Sequence, residues 1–445
     1  MDQDSSDSKD GIKKTRIMFD LTFLFDQYAK RGIGVYGKHL ISRLLEVIDE
    51  DPNFEIYLLG FNSLEQNLIH LGFSQFRVEE LSHKFNFYSF GAETDSNIKN
   101  FLRWEKTYLP AIEEIKPDIF YAVHFERGLP STKGLREKLS YRPRTAVVAH
   151  DAIPLVTNKF SSKGFIQNFL KKRFFKRMWT GVQNADLVIT VSQFSKEDLI
   201  KYGGIDESKI KVIYSGVNEK YRRENYDLEK DIEENILEAY SLLNKNYFIF
   251  DTGVEPNKGT VHLLNIFKEI LNSGSHTLPN YLVITGKDFY KGAGTQIKPK
   301  TILGEQFIKM AKKLGVLQNL ITTDKIPDEH LVTVFFNAKV YINLSTYEGF
   351  GLGIAQAMTS KIPVIAANAS CIPEITQGGA YLIDIRQEMD YKKITEDLIK
   401  HLNDKDKVKE KIKKASKVAQ QYDWDKTVEM TWRELKKLAV EADLQ

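Results

Sequence analysis

One cysteine, Cys371, stands in 445 residues, so no internal disulfide framework can form. No Cys/His grouping has metal-ligand spacing either, and no metal site is expected. Proline is scarce, at 12 residues, and no tract repeats. That excludes collagen-like, low-complexity and solenoid chains. Charge of one sign is barely in excess: 63 Lys+Arg against 60 Asp+Glu leave a formal +3. A balance this even does not mark a nucleic-acid binder, and no nucleic-acid partner is expected. No run of about 18 apolar residues is present. The opening MDQDSSDSKDG is acidic and polar where a signal peptide would be basic and then apolar. These absences read as a cytoplasmic chain, with residues 1–14 expected as a disordered tail.

What is there is ordinary globular material, 42% hydrophobic and 28% charged. At about 100–200 residues per domain the length suits two or three domains. From Thr15 short β-branched or aromatic runs (RIMFDLTFLF, FEIYLLGF, PDIFYAVH, TAVVAHDAIPL, ADLVITVS, KIKVIYSG) alternate with longer helical patterns. That rhythm is the signature of βαβ units and a parallel sheet. It assigns 15–218 to a first α/β domain. The charged stretch 219–244, with weak strand character, reads as a linker or insertion. A second α/β series (YFIFDTG, YLVITGK, NLITTD, KVYINLS, KIPVIAA, AYLIDI) then fills 245–422. Two doubly wound parallel-sheet domains in tandem are the simplest architecture. In the final stretch, 423–445, Trp424, Val428, Trp432 and Leu435 fall at helical spacing, which requires one face to be buried.

Four segments can carry chemistry. RGIGVYG supplies Gly32, Gly34 and Gly37 in G-x-G-x-x-G spacing, but LTFLFDQYAKR separates it from its strand, unlike a dinucleotide fingerprint. It reads as a flexible loop leading into a helix over Val35–Val47, whose free N–H groups face a ligand, or as a plain helix-entry turn. TAVVAHDAIPL puts His150 and Asp151 at the carboxyl end of a strand, where open α/β sheets bind ligands. A histidine there can donate to a ligand hydroxyl, or be structural. DTGVEPNKG offers Lys258 and nearby backbone amides to an anion such as a diphosphate, or is a surface turn with a solvated lysine. STYEGFGLGIAQAM is the strongest signal: Glu348 ends a strand, Gly349 and Gly351 let backbone approach a ligand, and Gln356 follows one helical turn later.

The run STYEGFGLGIAQAMTSKIPVIAANASCIPE, Ser345 to Glu374, resembles the pattern SLYEGFGLPxLEAM…GxPVxxxxxSxxPE of retaining glycosyltransferases of family four. RGIGVYG, AHDAIPL, ADLVITVSQFSKEDL, VIYSGVN and GVEPNKG resemble further motifs of that family, in family order, over roughly Thr15 to Trp432. The resemblance implies a GT-B fold, two Rossmann-like domains facing a cleft, with the last helix crossing back to the first domain. It implies retaining, metal-independent transfer of a hexose-type sugar from a nucleotide-diphosphate donor to a glycan or lipid-linked acceptor, in cell-surface polysaccharide or glycoconjugate synthesis. No cofactor is implied beyond the nucleotide sugar as substrate. Catalytic roles fall to Glu348 and His150 at the sugar and Lys258 at the diphosphate. Donor binding falls to Gly349, Phe350, Gly351, Leu352 and Gln356, with Gly32, Gly34, Asp151 and Lys287 completing the set.

Two departures stand out. The pattern's second glutamate is Gln356, whose amide loses charge assistance worth about 1 kcal/mol, a fivefold to tenfold weaker hold. The family's arginine shortly before the lysine is missing at Thr252 and Gly253, and Lys287, after YLVITG, is the candidate substitute. Two alternatives therefore stay open: a catalytically weak GT-B partner subunit or carbohydrate-binding protein, and a nucleotide-sugar isomerase of the same fold. Finally, 159–179 holds Lys159, Lys163, Lys171, Lys172, Arg173, Lys176 and Arg177 among aromatics with no acidic residue. It suits an anionic membrane surface, placing the protein peripherally on the inner face, or packs its aromatics on the first sheet.

Overall fold

Strands that are apolar on both faces are stable only in a sheet covered on both sides, and most strands of this chain read that way. The computed structural model describes residues 14–25, 29, 32–89, 91, 109–123, 140–156, 179–386 and 388–443. The expected tail, and the basic segment except Trp179, lie outside the described residues. The chain divides into two compact units. The first comprises Met1–Thr190, Lys196–Ile213 and Thr427–Gln445; the second comprises Val191–Ser195 and Tyr214–Lys426.

In the first unit β1 (Thr15–Asp20), β2 (Phe54–Gly60), β3 (Asn86–Ser89), β4 (Ile119–Ala122), β5 (Arg144–Val148), β6 (Leu187–Thr190) and β7 (Ile210–Val212) lie in the order β3-β2-β1-β4-β5-β6-β7. Every pairing is parallel. Strand order reverses between β1 and β4, and such a switch point opens a crevice at the strands' carboxyl ends. Helix α1 (Gly32–Asp49) begins three residues before the expected start, so the glycines are helical rather than a flexible loop. The physical reason is packing. Gly34 and Gly37 are buried, and a Cβ on Gly37 would lie 2.6 Å from the Phe23 ring and 3.1 Å from a Val123 methyl. Trp179 belongs to this unit's core, 5% exposed, its indole N–H donating to the Gly203 carbonyl at 2.8 Å.

The chain leaves β6 at Thr190 and starts α2 (Gln193–Lys201) with residues of the second unit. That unit continues with α3 (Lys230–Ala239), β8 (Tyr247–Phe250), α4 (Thr260–Asn272), β9 (Tyr281–Ile284), β10 (Gly292–Ala293), β11 (Leu320–Thr322), β12 (Val340–Asn343), α5 (Leu352–Thr359), β13 (Val364–Ala367) and β14 (Tyr381–Ile383). The order is β10-β11-β9-β8-β12-β13-β14, parallel except for the short antiparallel edge β10. Here the switch falls between β8 and β12. The stretch 219–244, read from sequence as a linker or insertion, carries two 3-10 turns and α3, and its Tyr221 packs edge-on against Phe335. In the last helix, α6 (Trp424–Asp443), all four stripe residues are buried. Trp424 covers Gly216 within the second unit, while Trp432, in the first unit, packs edge-on against Phe54 at 4.5 Å.

The turn from β8 into α4 depends on Gly259, whose φ of 65° is left-handed and whose Cβ position is occupied by the Leu344 carbonyl oxygen. Gly259→Ala adds the left-handed penalty to a backbone overlap, together about 2–4 kcal/mol. A fall in Tm of roughly 5–15 °C is expected by calorimetry. An unchanged Tm would show that β8 and β12 loops do not approach this closely.

Candidate active site

Two loops meet at the switch point of the second sheet, each starting where a buried apolar strand ends. The loop after β8 runs through Asp251 to a 3-10 turn, Pro256–Lys258, and Gly259. The loop after β12 runs from Leu344 to Gly351, which caps α5 at φ 81°. Asn257 joins them: its carbonyl accepts the Thr346 N–H at 2.8 Å, and its side-chain amide donates to the Tyr347 carbonyl at 3.4 Å. The result is that Lys258 and Glu348, 90 residues apart in sequence, form an ion pair at 2.8 Å, with side chains 18% and 14% exposed. Burial pulls the Lys258 ammonium down, but Glu348, then Glu255 and Asp251, outweigh it, and its pKa is raised.

A few residues after Glu348 the backbone offers donors. Ile354 and Ala355 make the first intrahelical bonds of α5, both to the Gly351 carbonyl, so the N–H groups of Leu352 and Gly353 precede the ladder. This is the anion-binding end of a helix dipole. Glu348, Gly349, Phe350, Gly351, Leu352 and Lys258 are thus brought together. Gln356 sits half-buried a turn further along α5, and Lys287 is exposed after β9.

Sequence reading did not single out Asp251, although a carboxylate directly after YFIF was a visible signal. Its carboxylate accepts the Tyr341 hydroxyl at 2.7 Å. Both of its oxygens lie within 2.8 Å of the place a Cβ on Gly353 would take. Burial, against the pull of Tyr341 and Lys258 and with Glu348 adding to it, pushes the Asp251 carboxyl up to about 6. Glu255 was missed as well. Its Oε2 is buried without a partner among the described residues and lies 2.6 Å from the Cβ position of Gly253. A side chain at 253 would require this carboxylate, the far end of a flexible side chain, to shift.

The first unit presents its own carboxyl edge. His150, two residues past β5, is 9% exposed, with Tyr36 of α1 edge-on to its ring at 4.7 Å. Burial lowers its pKa to about 4, against a hydrogen bond to the Val123 backbone that raises it. The imidazole is therefore neutral at pH 7. Nε2 is buried and has no partner among the described residues, so Nδ1–H is the donor to Val123 and Nε2 carries a bare lone pair. In this state Nε2 is an acceptor rather than a donor. Asp151 accepts the Ile153 N–H at 2.8 Å and caps the short helix Ile153–Val156. Gly32 opens α1, exposed, with nothing within 4 Å of its Cβ position, and Gly34 is buried behind it. No helix among the described residues is long and apolar enough to cross a membrane.

Comparison with known proteins matches residues 72–221 to the family model "Glycosyltransferase Family 4" and residues 231–418 to "Glycosyl transferases group 1". The chain is 26% identical over 268 residues to the serotype-specific mannosyltransferase WbdA of Escherichia coli, covering 60% of this chain and 30% of that protein. It is 24% identical over 211 residues to the O-antigen chain mannosyltransferase B of Escherichia coli, covering 47% and 50%. The chain thus spans half or less of the length of these two relatives. Among solved structures, Anabaena Alr3699/HepE in complex with UDP-glucose superposes with a TM-score of 0.65 at 15% identity, over 95% of this chain and 99% of that one. That likeness establishes the fold, two Rossmann-like units of the GT-B type.

The raised Asp251 carboxyl has a measurable consequence. Its native pKa, about 6, exceeds the ordinary 3.8, so the folded state holds the proton more tightly than the unfolded chain. Stability from this group is full below about pH 4 and is lost as pH rises through about 6. The gap of about 2 pH units corresponds to roughly 3 kcal/mol. Asp251→Asn keeps an acceptor for Tyr341 without the charge. It is expected to melt higher than wild type at pH 7.5 and to flatten the decline between pH 4 and 6. Superimposable Tm-against-pH curves would refute a desolvated Asp251.

Proposed function

We propose, given that the chain is a glycosyltransferase of the family 4 type, that it moves a hexose from a nucleotide-diphosphate sugar to a glycan or lipid-linked acceptor in cell-surface polysaccharide synthesis. The observation that carries this reading is the Lys258–Glu348 pair, whose glutamate lies in the loop that leads into the amide end of α5. The two relatives are mannosyltransferases by name and the solved structure holds UDP-glucose, which supports a hexose and puts mannose first for testing.

The geometry suggests how the residues act. An arriving diphosphate competes with Glu348 for the Lys258 ammonium, and the Leu352 and Gly353 amides add donors for its oxygens. Released from the lysine, Glu348 turns its carboxylate to the sugar hydroxyls. The bond from the anomeric carbon to the phosphate oxygen breaks with its electron pair going to the nucleotide, and Lys258 and the amides stabilise the growing charge. The acceptor oxygen bonds to the anomeric carbon from the face the phosphate leaves, retaining configuration, and its proton passes to the leaving phosphate. Bare Nε2 of His150 is suited to accept from a sugar hydroxyl. No metal takes part in this scheme. A peripheral position on the inner membrane face through 159–179 belongs to the same reading.

The unpartnered Glu255 oxygen beside Gly253 favours a second reading, a catalytically weak partner subunit, because it sets a carboxylate where an arginine would aid diphosphate binding. A thermal-shift panel of UDP-, GDP-, dTDP- and ADP-sugars separates the two. One nucleotide class is expected to raise Tm by several degrees. Glu348→Gln should weaken the response, and Lys258→Ala should cut turnover at least about a hundredfold. A folded protein that responds to no donor would favour the partner-subunit reading.

A further inference from the structure

The backbone of the Glu348 loop is gripped from a segment 157 residues earlier in the chain. Ser192 Oγ donates to the Gly349 carbonyl at 2.6 Å and Ser195 Oγ donates to the same oxygen at 3.2 Å. Both serines are fully buried. Ser192 Oγ also accepts the Ser195 N–H at 3.0 Å, the arrangement of a helix N-cap for α2. The next donors of α2 go to Glu374, which accepts the N–H of Gln193 at 2.7 Å and of Phe194 at 3.0 Å, together with the Tyr214 hydroxyl at 3.0 Å. All these residues belong to the second unit.

Capping α2 needs only a lone pair of the Ser192 oxygen and the Glu374 carboxylate, so it does not account for Gly349. What reaches Gly349 is the hydroxyl proton of each serine, which the cap leaves over. A trans peptide directs its carbonyl and the following N–H to opposite sides. With the Gly349 carbonyl fixed on the serines, the Phe350 N–H is turned to the other side. One residue before Gly349, the Glu348 N–H is held by Ser370 Oγ at 3.0 Å. The backbone that carries Glu348 is therefore clamped on both sides of its Cα.

We propose that Ser192 and Ser195 are positioning residues for sugar transfer, setting the orientation of the Gly349–Phe350 peptide and through it the Glu348 carboxylate. The proposal rests on the glycosyltransferase reading and extends it to residues that touch no substrate. Because the clamp acts on the sugar-facing loop rather than on Lys258, it governs the rate of transfer more than the hold on the nucleotide.

The test compares wild type, Ser192→Ala/Ser195→Ala, Ser195→Ala and Ser192→Thr, each checked for folding by circular dichroism. Hydrogen exchange of the peptide covering residues 345–352 is followed without ligand. UDP, GDP, dTDP and ADP binding is titrated, and kcat and KM are measured with the donor from the thermal-shift panel. In the double variant exchange at 349–352 should quicken about tenfold or more, as expected when a buried hydrogen bond is lost. Its kcat should fall by a similar factor, with KM and nucleoside-diphosphate affinity within about threefold. Ser192→Thr, which restores the hydroxyl, should recover both. Ser195→Ala keeps the shorter bond and the cap, and gives an intermediate value should the double variant fail to fold. Exchange and kcat unchanged in the folded variants, or a loss that threonine does not recover, overturns the proposal. A wild type that binds no nucleotide and turns over no donor overturns the glycosyltransferase reading instead, and the exchange comparison alone then decides whether the serines hold the loop.

Discussion

The 2.8 Å pair between Lys258 and Glu348 exists only because two strand-end loops touch. Neither side chain could be held largely out of water alone, since an unpaired buried charge costs several kcal/mol. The contact that permits it is backbone on backbone: Gly259 against the Leu344 carbonyl, then Asn257 bonded to Thr346 and Tyr347. Both loops leave adjacent strands, β8 and β12, at the point where strand order reverses, so the helices that follow diverge and leave the loop tips uncovered. The chemistry of the pair is thus a consequence of sheet topology. In the first unit the reversal between β1 and β4 places Val123 where its carbonyl can fix the tautomer of His150.

Much of this was legible in the residues. Apolar runs without alternation, such as YFIF, VYIN and VIAA, announced buried parallel strands, and each became a strand covered on both faces. Glu348 and Lys258 stood in glycine-bearing loops after such runs, and the structure brings the two side chains together. Other features were hidden because periodicity does not report partners. The glycines of RGIGVYG resembled a loop because composition does not reveal that Phe23 and Val123 would crowd a side chain at Gly37. Residues 219–244 read as a linker or insertion, and their charge pattern did not reveal that Tyr221 packs against Phe335. The serine contacts to Gly349 join positions 157 and 154 residues apart, and no local pattern encodes a pairing at that range.

At two departures from the family pattern a carboxylate stands beside the glycine. The pattern's proline after EGFGL is Gly353 here, and the space a Cβ would need is filled by the Asp251 carboxylate and the Tyr341 hydroxyl. The missing arginine corresponds to Gly253, and the Glu255 carboxylate fills the space there. In both places a carboxylate oxygen lies within 2.6 Å of where a Cβ would stand, so a larger residue at 253 or 353 would require that side chain to shift.

The clustered carboxylates have an electrostatic meaning. Asp251, Glu255 and Glu348 act on the single ammonium of Lys258, where the family pattern would place an additional arginine. On the proposed reading, a diphosphate entering this site would meet these carboxylates, and Asp251, its carboxyl near 6, could relieve the repulsion by taking a proton. On the same reading, a phosphate that draws Lys258 away leaves Glu348 without that partner and free for the sugar, so release of Glu348 would depend on arrival of the donor.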